Sequence, residues 1–392
     1  MTAVITDIHY RMSLALIRDL AQGGVSLVCC EREGVAAPLG FSSRYAGRKV
    51  TLPAQGWEDA LWEVCADLAR REGEKPALLP VGAATLAALA RQAPRFGQVC
   101  GLCIPTPEQL ERFNSKEETA RLARELGVPV PESLSPGPGE GPEEVAARAA
   151  YPCVVKPLCG ERLGLSAAQR YVIARDPAAL AAGIRRFQVL DGGRFPVVQS
   201  YLPGGGLGCS VAAEEGEVRA ALCHRRVREY PVTGGPSACC ERVDRPELEE
   251  YAARLVRAAG YTGLAMFEFK EDGAGRPRLL EINPRIWGTF PLTRASGSGI
   301  PLLWCVLSWN RGNPDRAVPL PEPAPFRPCR MRFAASDLMS AAGYWRRGER
   351  RRALGAVADL LNPAVRDGLW EWSDPKPGLA YYRSLLRKGE RT

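Results

Sequence analysis

The stretch AVITDIHYRMSLALIRDLAQGGVSLVCCE, Ala3 to Glu31, constrains the fold most. Two short apolar runs flank a segment in which Met12, Leu16 and Leu20 recur at helical spacing, and Gly23 and Gly24 stop it. That reads strand, helix, strand. KPALLPVG and GQVCGLCIP add two short buried strands, with the helical AATLAALARQA between them. Strands that alternate with helices imply a parallel sheet covered on both faces.

At 392 residues the chain exceeds one ordinary core, so several domains are expected. The first ends near IPTPEQLERF, giving 1–113. A second spans 114–310, with a lid subdomain at about 130–197, and a C-terminal extension covers 311–392. NSKEETARLARELG opens the second domain with a helix capped by Asn114 or Ser115 and closed by Gly127. SPGPGEGPEE, Ser135 to Glu144, reads as a loop or linker. The strands YPCVVKP, QRYVIA and FPVVQSYL follow, then PGGGLG as a turn, a hairpin about EEGE, the helix ELEEYAARLVRAAG, and the paired strands GLAMFEFK and PRLLEINPR. The tail beyond Asn310 is rich in proline and arginine, then helical.

Composition excludes several classes. The apolar fraction is 46% and the charged fraction 24%, as in globular proteins. No apolar run is long enough to cross a membrane, and MTAVITDIHYRM lacks the pattern of a signal peptide. Thirteen scattered cysteines without a secretion signal point to reduced thiols and a cytoplasmic setting. Cys100 and Cys103 form a lone CxxC. With only His9 and His224 as histidines and no second pair, they read as buried strand residues. The net charge of +8 suits anionic small substrates. The basic run from Arg346 to Arg352 reads as a solvated helix face, because no nucleic-acid motif accompanies it. Lysine is scarce: seven lysines stand against 45 arginines.

The chemistry centres on LLEINPRIWGT, Leu279 to Thr289. Leu279, Leu280 and Ile282 read as core, which leaves Glu281 and Asn283 on one face of a strand. A hairpin loop at Gly273–Arg276 places Asp272 opposite Pro277 and Glu268 opposite Glu281. Two facing carboxylates repel. Glu268, Glu281 and Asn283 together are hard oxygen ligands of the kind magnesium or manganese takes. The alternative is a solvated strand whose acids pair with Arg278 or Lys270.

The G-x-x-x-x-G-K-[ST] phosphate loop is absent. Lys156 ends the strand PCVVK, and Gly160 and Gly164 follow in a loop whose N–H groups suit phosphates. HRRVREYP gathers Arg225, Arg226 and Arg228. On a strand, Arg226 and Arg228 share a face with His224, and such a cluster calls for anions. TGGPS, Thr233 to Ser237, is a turn or a substrate loop.

The segments NSKEETARLARELGVPVPES, YPCVVKPLCG, VVQSYLPGG, GLAMFEFK and LLEINPRIWG, in that order, resemble the ATP-grasp superfamily. FSSRYAGRKVTLP and SDPKP resemble its carboxylate–amine ligase branch, near the D-aspartate ligases, and the whole is also like the carbamoyl-phosphate synthase type. The resemblance implies an ATP-grasp fold, α/β and α+β, behind a parallel α/β domain and before a helical extension. It implies ATP and magnesium (or manganese) as cofactors. Lys116 and Lys156 would contact phosphates, and Gln199, Tyr201 and Leu202 would form the hinge beside adenine. Glu268, Glu281 and Asn283 would hold the metal, and Arg285, with Arg226 and Arg228, would meet the transferring phosphoryl group or a substrate carboxylate. Gln199 or Ser200 stands where the hinge usually has a glutamate, Gly204 to Gly208 where an acid for the ribose is expected, and Glu161 within the phosphate loop. The implied reaction joins a small carboxylate to an amine through an acyl phosphate. An ATP-dependent carboxylase acting through carboxyphosphate and a non-catalytic nucleotide-binding protein remain open, as does a homodimer. Membrane and nucleic acid are not expected partners.

Overall fold

The computed structural model describes residues 1–158, 163–165, 169–322 and 325–389. Its first sheet holds β1 (Thr2–Ile5), β2 (Ser26–Arg32), β3 (Arg48–Leu52) and β4 (Ala77–Leu79), all parallel, in the order β3-β2-β1-β4. The helix Arg11–Gln22 joins β1 to β2, as the periodicity predicts. The helix Trp57–Glu72 carries Glu58 and Asp59 in its first turn and Arg70 and Arg71 in its last, complementing its dipole. GQVCGLCIP differs from expectation. It makes only an isolated bridge from Gly101 to Ala77. The helix Ile300–Gly312 crowds it there: a Cβ on Gly101 would lie 1.9 Å from the Ser308 carbonyl oxygen. Cys100 and Cys103 are buried free thiols, and burial pushes Cys103 up to about 12.

The second sheet is antiparallel, with β5 (Ser133–Leu134), β6 (Cys153–Lys156), β7 (Val172–Ala174) and β8 (Val197–Ser200) in the order β5-β8-β6-β7. The helices Pro142–Ala147 and Pro177–Leu190 share a core with it, including Val145, Val155, Ile184 and Phe187. The expected linker at Ser135–Glu144 therefore ends inside a helix. Pro142 is at a first helical position, where its missing N–H costs nothing.

The third sheet has seven strands: β9 (Gly206–Glu214), β10 (Glu217–Glu229), β11 (Ser237–Arg242), β12 (Gly263–Glu271), β13 (Pro277–Asn283), β14 (Arg330–Arg332) and β15 (Val365–Asp367). Their order is β13-β12-β9-β10-β11-β14-β15. One face packs Phe267, Phe269, Leu279 and Ile282 against Phe113, Ala123, Leu248 and Leu255. The other packs Leu222, Leu264 and Met266 against Ile5 and Leu27 of the N-terminal unit and against Trp304 of the helix Ile300–Gly312. The C-terminal extension is thus not purely helical, since β14 and β15 widen this sheet. Its basic run is not one helix face either. It straddles the break between helices Ala334–Arg346 and Arg350–Leu361, where Gly348 takes φ 77°. Among the described residues no helix is long and apolar enough to cross a membrane.

Candidate active site

Glu268 on β12 faces Glu281 on β13 in the ladder, as the sequence predicts, but by another route. Glu271, not Asp272, faces Pro277, and Asp272 instead closes the turn by accepting from the amides of Ala274 and Arg276. A bulge that leaves Leu280 unpaired between Leu279 and Glu281 restores the register. Beyond it Asn283 pairs with Met266. Met266 belongs to the covered core, so the apolar face of β12 turns into an open polar one within two residues.

Cations ring the two acids. Lys116, the first residue of the helix Lys116–Glu125, puts Nζ 3.5 Å from Glu281 Oε2. Ser115 caps that helix by accepting from the Glu118 amide, which fixes where Lys116 emerges. Arg226 on β10 puts Nη2 2.7 Å from Glu268 Oε1, reaching across the whole width of β9. It can do so because β9 carries glycine where it passes. A Cβ on Gly206 would meet Arg226 Cδ at 2.9 Å, and one on Gly208 would meet the His224 ring at 2.3 Å. PGGGLG is therefore not only a turn; its last glycines are strand residues that yield space to neighbours.

The electrostatics follow from crowding. Burial raises the Glu268 carboxyl above its ordinary value; Arg226 opposes this, and the facing Glu281 adds to it. Burial also pushes on Glu281, but Lys116 and Lys156 hold its carboxyl below the ordinary value. Lys156 ends β6 in the second sheet, so it approaches these acids from across the cleft. Burial, helped by the nearby Lys116, lowers its ammonium to about 8. His224 is buried, and burial followed by Arg226 lowers it to about 3. Its Nε2 lies 3.3 Å from Thr289 Oγ1, and it is neutral at any physiological pH.

Two sequence expectations need correction. Arg228 does not join His224 and Arg226 in the cleft. The β10–β11 ladder slips between Arg226 and Arg228, and Arg228 is buried with Nε 2.6 Å from Asp337 Oδ1 and Nη2 2.7 Å from Asp359 Oδ2. It ties the C-terminal helices to the sheet. Arg285 also turns away. Its amide donates to the Asn283 carbonyl at 2.8 Å, so the chain folds back around Pro284 instead of staying extended. Its Nη1 donates to the Ile286 carbonyl at 3.1 Å, and it lines a small cavity with Cys103, Leu264 and Trp304. Among the described residues it has no carboxylate partner.

At the expected hinge, Gln199 lies on β8 with Nε2 3.3 Å from Ser133 Oγ. The Tyr201 amide donates to the Pro152 carbonyl, Leu202 is buried, and the Lys270 ammonium stands 5.4 Å from the Tyr201 ring centre. The sequence reading named Lys270 only as a possible partner of the acids, and it missed Glu229, which also pairs with Arg226 at 3.4 Å. Gly160 and Glu161 lie outside the described residues.

The residues fit a divalent cation in kind. Glu268, Glu281 and Asn283 offer only oxygen as hard donors, and the two carboxylates face each other directly in the ladder. Among the described residues no group of three or more His, Cys, Asp and Glu gathers, so the protein would supply only part of a coordination shell.

Comparison with known proteins bears on the fold. Residues 195–327 match a family model described as "ATP-grasp in the biosynthetic pathway with Ter operon", and that span contains Arg226, Glu268, Glu281 and Asn283. In that span the chain is similar to the ATP-grasp superfamily. It is 25% identical over 246 residues to the carbamoyl phosphate synthase large chain of Rubrobacter xylanophilus, covering 60% of this chain and 22% of that one. It is 27% identical over 209 residues to the C-terminal section of the same enzyme from Methanopyrus kandleri, covering 50% and 37%. It thus spans well under half the length of these curated relatives. Among solved structures, the biotin carboxylase of Campylobacter jejuni superposes with a TM-score of 0.60 at 16% identity, covering 82% of this chain and 72% of that one. An L-amino acid ligase from Bacillus licheniformis gives 0.50 at 16%, covering 80% and 74%. These likenesses show the fold.

Proposed function

We propose that this ATP-grasp protein is a carboxylate–amine ligase. The γ-phosphoryl group of ATP passes to a substrate carboxylate oxygen, the bond to ADP breaks, and an acyl phosphate forms. An amine then attacks the acyl carbon, phosphate leaves, and an amide remains. The observation that carries the reading is the facing pair Glu268–Glu281, ringed by Lys116, Lys156 and Arg226. Phosphoryl transfer of this kind needs positioning and neutralisation more than a general base. The buried, neutral His224 is consistent with that.

Lys116 and Lys156 would hold phosphate oxygens, approaching from opposite sides of the cleft. Glu268, Glu281 and Asn283 would hold magnesium or manganese, which supplies charge neutralisation on the phosphates when bound. Arg226 opposes the burial that raises the Glu268 carboxyl. Gln199, Tyr201 and Leu202 would flank the base. The carboxylate–amine assignment rests on FSSRYAGRKVTLP and SDPKP. These distant segments bond to each other, with Ser43 Oγ donating to Asp374 Oδ2 at 2.6 Å and the Arg44 amide to Oδ1 at 3.0 Å. The acid and the amine are small molecules, the compartment is the cytoplasm, and a homodimer is compatible with the fold.

The test is a screen for ADP release over amino acids, other small carboxylates and amines, with mass spectrometry of the products. An amide whose formation tracks ADP supports the assignment. ADP release that depends on bicarbonate and needs no amine would instead indicate a carboxylase, and ATP binding without turnover on any pair a non-catalytic protein.

A further inference from the structure

A second basic site lies away from the glutamates. A cleft of about 670 Å³ opens between Phe41–Lys49 of the N-terminal unit and the helix Pro375–Gly389. Its walls carry Arg44, Lys49, Lys376 and Arg383, with Ser42 and Ser43 beside them. No lining residue is acidic, and none belongs to the sheet that holds Glu268 and Glu281.

Three observations set this cluster apart. First, none of the four cations has a carboxylate within salt-bridge distance among the described residues. Several exposed arginines elsewhere do: Arg95 meets Asp59, Arg121 meets Glu118 and Arg148 meets Glu140, at 2.5 to 2.7 Å. The nearby Asp374 is buried and already neutralised by Arg18, at 2.9 Å, behind the wall. Second, Lys376 stands in the first turn of its helix, which has no acidic residue. A cation there opposes the helix dipole, and an anion bound beside it would offset that cost. Third, lysine is rare in this chain, yet two of the seven line this cleft. Four like charges around a concavity repel one another, and a bound polyanion removes that cost.

We propose that this cleft binds a small multivalent oxyanion, polyphosphate or polycarboxylate, at a site separate from the one that carries the ligase chemistry. The depth of the cleft and its mixed lining, with Phe41 and Leu379 beside the charges, suit a small molecule more than a flat macromolecular surface.

The test is calorimetric titration of the full chain with inorganic pyrophosphate and, separately, with citrate. Wild type and Lys156→Ala are expected to bind at least one probe in the cleft, and Lys376→Glu/Arg383→Glu to lose that binding tenfold or more. Binding of pyrophosphate alone identifies phosphates as the ligand, and of citrate alone polycarboxylates; binding of both supports the shared chemistry. The altered side chains are exposed, so unliganded melting temperatures should stay close to wild type. If the double variant misfolds, Arg44→Gln/Lys49→Gln carries the same comparison without adding an acid. The proposal is overturned if neither probe binds wild type, or if affinity survives the cleft variants and falls only in Lys156→Ala. That last outcome would leave the reading of the glutamate site intact.

Discussion

Arg226 and Glu268 meet at 2.7 Å although a full strand, β9, separates the strands they stand on. The contact exists because glycine at positions 206 and 208 leaves a trough across β9. The Arg226 charge opposes the burial that raises the Glu268 carboxyl.

Removing Arg226 should therefore show in the pH dependence of stability. In Arg226→Met the Glu268 carboxyl loses the charge that pulls it down, so its folded value rises further above the unfolded one. A raised carboxyl contributes stability at low pH that is lost as pH climbs through the folded value. The gap in melting temperature between wild type and Arg226→Met should widen from pH 5 to pH 8. A gap that is constant or narrows would mean that Arg226 does not control Glu268.

Gly208→Ala tests the trough itself. The added Cβ would fall 2.3 Å from the His224 ring, which is buried and cannot swing into solvent. Overpacking of this kind costs on the order of 1–3 kcal/mol. Chemical denaturation should register that loss, together with weakened ATP affinity as Arg226 is displaced. Gly273→Ala, in an open turn with nothing within 4 Å, should do neither.

Arg228→Ala separates structure from chemistry. Its loss leaves Asp337 and Asp359 facing each other inside the protein, at a cost of about 3–5 kcal/mol. Turnover per folded molecule should be unchanged. A variant of normal stability and impaired turnover would return Arg228 to the reaction.

Arg285→Ala has the opposite signature. With no carboxylate partner among the described residues, its removal should barely move the melting temperature. If Arg285 swings toward the cleft when substrates bind, turnover falls about a hundredfold, the usual cost of losing one transition-state contact. Unchanged turnover would leave it outside the reaction, where the structure has it.

The facing glutamates were legible because strand alternation and turn chemistry are local. Even the bulge at Leu280 only exchanged one compensating register for another. The parallel N-terminal sheet was legible for the same reason. What escaped was non-local. The slip in β10 that buries Arg228 depends on partners more than a hundred residues away, Asp337 and Asp359. The strands β14 and β15 are three residues each, too short for a period-2 pattern to register. Asn283 stays in the strand, as the residue before a proline should, but the reversal centred on Pro284 that follows it has no local sequence signal. The glycines of GLGC carried a usable signal, since glycine inside a strand marks a close approach by another group.

The central claim is that Lys156 and Glu281 belong to one nucleotide–metal site. Calorimetric titration of ATP, with and without magnesium, into wild type, Lys156→Ala and Glu281→Ala tests it most directly. Wild type should bind ATP more tightly with magnesium. Lys156→Ala should weaken binding under both conditions, and Glu281→Ala should erase the magnesium dependence. Because Lys156 titrates near 8 in the free protein, wild-type affinity should also decline above that pH, whereas a Lys156→Arg variant should hold it. ATP binding that both alanine variants leave at the wild-type affinity and magnesium dependence would contradict the account.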